Sequence, residues 1–116
     1  LLLGGQVHGG VAQGIGQALM EDVTYDADGQ ILAGSFMDYC MPRADDLPMI
    51  ETSDFVEACQ TNPLGVKGGG ESGTVGSTAA VVNAIVDALS EYGVKDMEMP
   101  VTPMKVWQAI HGGKAA

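Results

Sequence analysis

Most of the 17 glycines of this chain fall in two short stretches, residues 4–16 and 65–76, and these stretches limit what it can fold into. Clustered glycine marks backbone that must come close to a neighbour or adopt dihedrals other residues avoid. Around the first cluster, Val11, Ile15, Ala18 and Leu19 share one helical face, predicting a helix from Val11 to Glu21 interrupted by Gly14 and Gly16. Each interior glycine costs about 1 kcal/mol relative to alanine, so a close neighbour has to compensate.

Between the clusters the pattern changes from helical to alternating. Val23–Tyr25 and Ile31–Tyr39 flank Asp26-Ala27-Asp28-Gly29-Gln30, a turn sequence in which Gly29 supplies positive φ, and this predicts a β-hairpin. Pro42 and Pro48 enclose a surface loop, and a third strand is expected over residues 52–59. The second cluster opens the longest predicted helix, Thr74 to Tyr92, closed by Gly93. Val75, Ala79, Val82, Val86 and Leu89, widened by Val81, Ile85 and Ala88, make its apolar arc so broad that it is expected to be mostly buried. A short helix should start at Pro103 with Thr102 as cap and run through Ile110 to Gly112-Gly113. The expected class is α+β: helix, hairpin plus third strand, long buried helix, short C-terminal helix, all in one domain spanning residues 1–116.

A net charge of −10 argues against nucleic acid or an anionic membrane as partner. No apolar run approaches the roughly 20 residues of a membrane-spanning helix. Cys40 and Cys59 stand apart and form no CxxC or iron–sulfur spacing, so both are expected to be buried, reduced thiols of a cytoplasmic protein. His8 and His111 match no ligand spacing and read as structural or solvent-facing. The opening Leu1-Leu2-Leu3-Gly4-Gly5, without an initiator Met, reads as a cut through a longer chain.

The stretch Asn62-Pro63-Leu64-Gly65-Val66-Lys67-Gly68-Gly69-Gly70-Glu71-Ser72-Gly73-Thr74 places one carboxylate in a glycine loop at the mouth of a helix. Loop and helix N–H groups there suit an anionic ligand. A lone carboxylate placed there is a candidate general base. The plain alternative is a tight turn in which Glu71 caps the helix. Gly68-x-Gly70-x-x-Gly73, with Glu91 about 20 residues on, also matches a dinucleotide-binding fingerprint. Residues 60–67 do not read as the buried strand such a fold requires.

Two motifs carry a family resemblance. Gly65-Val66-Lys67-Gly68-Gly69-Gly70-Glu71-Ser72-Gly73 resembles the Gly-x-Lys-Gly-x-Gly-Glu segment near the C-terminus of molybdenum hydroxylase large subunits, the family of xanthine dehydrogenase, aldehyde oxidase and carbon monoxide dehydrogenase. Gly9-Gly10-Val11-Ala12-Gln13-Gly14-Ile15-Gly16 resembles that family's Gly-Gly-x-x-Gln-Gly-x-Gly helix start. Phe36-Met37-Asp38-Tyr39, Met41-Pro42 and Pro103-x-x-Val106-Trp107 are similar to it as well. The order and spacing match over nearly the whole chain.

The resemblance implies a fragment of the molybdopterin-binding domain, inactive alone, of an oxidoreductase that hydroxylates an aldehyde or N-heterocycle with water, or oxidises CO. It implies Glu71 as base, Gln13 as a hydrogen-bonding partner of the cofactor, and Gly14, Gly68, Gly69 and Gly70 as places where backbone approaches it. The cofactor implied is molybdenum–molybdopterin in the cytosine dinucleotide form, held by no protein side chain on the metal. 2Fe-2S clusters and FAD are expected on other domains or subunits, with the rest of the large subunit, the iron–sulfur and flavin subunits and a small-molecule substrate as partners. A non-catalytic or assembly-related relative with the same fold is the alternative, and a nucleotide-binding module the weaker one.

Overall fold

Six glycines lie inside one continuous 18-residue helix, α1 (Leu2–Leu19), in the computed structural model, which describes residues 1–112. The helix begins nine residues before the predicted Val11, in spite of the low helix propensity of Gly4, Gly5, Gly9 and Gly10. Gly10, Gly14, Gly16 and Ala18 are its buried positions. The second helix, α2 (Ser72–Ala88), is followed by a 3-10 turn, Ser90–Tyr92. Gly93, at φ 79°, ends it in the left-handed conformation expected of it. The third, α3 (Pro103–Ile110), starts as predicted: Thr102 accepts a hydrogen bond from the Lys105 N–H at 3.4 Å and proline occupies the first turn. Gly113, expected to help stop α3, lies outside the described residues.

The β portion of the expectation does not hold. Among the described residues there is no strand, and the hairpin reduces to a single antiparallel bridge between Tyr25 and Ile31. Its turn is as expected: Asp26 Oδ1 accepts from the N–H groups of Asp28 and Gln30 at 2.9 and 2.8 Å, and Gly29 has φ 80°. The pairing ends there because residues 35–39 curl into a turn in which the Asp38 and Tyr39 N–H groups donate to the Ser35 carbonyl. Residues 52–59 run without regular structure, since a lone extended segment finds no neighbour to pair with. The architecture is helical.

Helices α1 and α2 pack side by side. Gly10 lies against Gly73 and Thr74, and Gly14 against Ser77 and Thr78, so the two run parallel with an offset of 64 residues. Beyond this seam the core is small: Ala18, Ala33, Leu89 and Val101 are the buried apolar residues, and the Val101 N–H donates to the Ala18 carbonyl at 2.6 Å. The expectation that α2 is mostly buried is overturned. Gly73 is its buried residue and Val75 is 79% exposed, because α1 covers one narrow face only. Cys40 is exposed and Cys59 half-buried, against the expectation of buried thiols, as both lie on connecting segments outside the helix pair. His8 and His111 are exposed as expected, with the His111 ring stacked on Trp107 at 4.5 Å. No helix among the described residues is long and apolar enough to cross a membrane.

Candidate functional site

Parallel packing places the N-terminus of α2 beside the first turns of α1, and Glu71 stands at that end. Glu71 occupies the N-cap position, yet its carboxylate makes no capping hydrogen bond. Its backbone carbonyl accepts instead, from the N–H groups of Thr74 and Val75, both at 3.1 Å. The side chain is exposed and, among the described residues, uncommitted to any hydrogen bond or ion pair. The first N–H groups of α2 point out of the helix at the same place, giving positive potential.

Two hydroxyls fix the backbone on either side of Glu71. Ser72 Oγ donates to the Gly69 carbonyl at 2.9 Å, drawing the loop into a tight turn. Thr74 Oγ1 donates to the Gly10 carbonyl at 3.0 Å, joining α2 to α1. Neither residue is among those singled out from the sequence. The signal that could have found them is the spacing of small residues, Gly10 and Gly14 on one helix and Gly73 and Ser77 on the other, which puts each pair on one helical face.

The glycines of the site divide by cause. A Cβ on Gly73 would strike the Val7 carbonyl oxygen and come within 2.8 Å of the Val11 nitrogen; a Cβ on Gly14 would strike Ser77 and come within 3.0 Å of the Thr78 nitrogen. Helix packing accounts for both. A Cβ on Gly69 would meet a Leu3 methyl at 2.8 Å, which a flexible side chain can relieve. Gly68 and Gly70 have no positive φ, and among the described residues no atom beyond their chain neighbours lies within 4 Å of a built Cβ. Nothing among the described residues accounts for glycine at those two positions.

Gln13 is exposed on α1, one turn beyond the Gly10–Gly73 crossing, and is not hydrogen-bonded to Glu71. The glycine loop, the first turns of α1 and residues 53–58 line a cleft of about 610 Å³ that includes Leu3, Val7, Gly68, Gly69 and Ser72. Gln13, Gly14 and Glu71 lie outside its lining. Among the described residues no group of three or more His, Cys, Asp or Glu is placed to hold a metal ion. No strand precedes the glycine loop there either, so the strand–loop–helix context of a dinucleotide-binding fingerprint is missing.

A family model described as a molybdopterin cofactor-binding domain matches residues 1–48, the part that contains Gln13. Over 108 residues the chain is 44% identical to the nicotine 6-hydroxylase large subunit of Paenarthrobacter nicotinovorans, covering 93% of this chain and 13% of that protein. It is 36% identical to the carbon monoxide dehydrogenase large chain of Hydrogenophaga pseudoflava over 110 residues, 95% of this chain and 14% of that one. Among solved structures, quinoline 2-oxidoreductase from Pseudomonas putida 86 superposes with a TM-score of 0.87 at 40% identity, over 93% of this chain and 14% of that chain. The chain therefore spans 13–14% of the length of these relatives.

Proposed function

This chain belongs to the molybdenum hydroxylase family, and we propose that it is the C-terminal part of a large subunit's molybdopterin-binding domain, with Glu71 as the general base. The observation that carries this reading is the state of Glu71: a carboxylate at a helix mouth, clamped through its backbone on both sides, with a side chain that, among the described residues, neither caps the helix nor pairs with a cation. A structural cap would spend its oxygens on the helix N–H groups.

The residues fit the molybdenum–pterin group. Gly68 and Gly70 leave a side-chain-free surface that none of the described residues fills, and the α2 N-terminus beside it suits an anionic phosphate. Gly68, Gly69 and Gly70 would let backbone N–H groups approach the group, and the Gln13 amide would hydrogen-bond it. Gly14 contributes by letting α2 close on the helix turn that carries Gln13. When bound, the group supplies a two-electron oxidant and an activated water as the source of oxygen. Glu71 accepts the proton of that water at a carboxylate oxygen, so the oxygen is nucleophilic when substrate arrives. The cytosine dinucleotide form of the cofactor, a cytoplasmic location, and iron–sulfur and flavin subunits to receive the electrons belong to the same proposal. Relatives named as a large subunit and a large chain support a multisubunit enzyme.

The substrate class we favour is an N-heterocycle with an electron-poor ring carbon, over an aldehyde or CO. Similarity of 44% and 40% to proteins named for nicotine and quinoline, both N-heterocycles, supports it. The test is oxidation of a panel of pyridine and quinoline rings by the assembled enzyme in ¹⁸O-labelled water. Label in the hydroxylated product is the expected result. A product whose oxygen comes from O₂, or oxidation without hydroxylation, would contradict the reading.

A further inference from the structure

We infer that Thr74 is a positioning residue for Glu71, fixing the height of the proposed base against α1; the inference rests on the reading of Glu71 as base. Helices that pack through large side chains resist sliding because ridges of one sit in grooves of the other. At the point where α1 and α2 cross, Gly10 faces Gly73 and neither has a side chain to interlock. A glycine seam brings the backbones together but is smooth along its length.

Two contacts supply what the seam lacks. Ser77 rests in the hollow over Gly14, a van der Waals contact one turn further along. Thr74 makes the directional one, its hydroxyl donating to the Gly10 carbonyl at 3.0 Å in a partly buried setting where water competes poorly. Thr74 is also bonded to Glu71 itself, since its N–H donates to the Glu71 carbonyl at 3.1 Å. One residue thus links the backbone of the base to a fixed carbonyl of α1, three positions before Gln13. The opposite clamp, Ser72 on Gly69, is exposed and reaches only the loop. Loss of the Thr74 hydroxyl leaves the seam without its directional contact, with Ser77 over Gly14 still in place, so α2 can shift along the seam and change the position of Glu71 relative to Gln13. A misplacement of about 1 Å is enough to cost roughly 10²-fold in rate.

The assembled enzyme carrying Thr74→Val, Thr74→Ser or Glu71→Gln is compared with wild type for molybdenum content, kcat per molybdenum and KM. Valine keeps the shape of threonine and removes the hydroxyl; serine keeps the hydroxyl. The expected result is a Thr74→Val enzyme with KM within about 2-fold of wild type and kcat per molybdenum down by roughly 10- to 100-fold, with Thr74→Ser near wild type. Should valine lower assembly, Thr74→Ala, which adds no bulk at the seam, gives the same comparison on its loaded fraction. Wild-type kcat per molybdenum in the hydroxyl-free variants beside a dead Glu71→Gln overturns the inference and leaves Glu71 as base. Lost molybdenum with unchanged kcat in the loaded fraction also overturns it, making Thr74 a folding residue. An active Glu71→Gln removes the reading of Glu71 and the inference together.

Discussion

Gly70 isolates the question of what the glycine loop is for. Its φ is not positive and a built Cβ meets nothing, so neither backbone strain nor crowding within the chain calls for glycine. Gly70→Val should leave the chain's own fold within about 1 kcal/mol of wild type. If the open face receives the pterin, the same substitution should abolish cofactor loading, read as molybdenum per assembled enzyme; normal loading would remove Gly70 from the cradle. Positive φ was a reasonable expectation for this loop and is met at Gly65 instead, at φ 65°. Glu71 was legible as a lone carboxylate among glycines. Its two clamps were not: the hydrogen bond from Thr74 to Gly10 depends on helix placement that residue type does not reveal, and the one from Ser72 to Gly69 on the local turn of the loop.

At the scale of elements, helix ends were easier to read than strands. Thr102-Pro103 and Gly93 carry their own chemistry, a cap and a left-handed stop, and the structure uses both as read. The start of α1 was hidden by Gly4, Gly5, Gly9 and Gly10, each unfavourable in a helix alone; Gly10 lies against α2, while a Cβ built on the other three meets nothing among the described residues. Strand patterns at 31–39 and 52–59 failed because alternation gives strand propensity but no partner strand. The helix seam itself makes a strong claim. A methyl on Gly73 would press on Val7, Gly10 and Val11 backbone, which can give way only by separating the helices. Gly73→Ala should therefore cost about 1–3 kcal/mol despite alanine's better helix propensity, whereas Gly76→Ala, with open space around it, should not. Thermal midpoints of the two assembled variants check this, and equal midpoints would contradict the seam.

The whole chain is more extended than a self-contained domain. Its radius of gyration is 17.8 Å, where about 13 Å is usual for this length. Phe36, Met37, Phe55, Val56 and Val75 are all at least 79% exposed, which in a finished protein marks surface that other parts cover. The apolar arc of α2, read from the sequence as a buried helix, is wider than the face that α1 covers. The proposal that Glu71 is the base is tested in the assembled enzyme. Steady-state turnover per molybdenum of the assembled Glu71→Gln enzyme should fall by roughly 10²–10⁴, with molybdenum content unchanged, since glutamine keeps the size of the side chain but cannot take up the proton. Turnover per molybdenum equal to wild type would contradict the account.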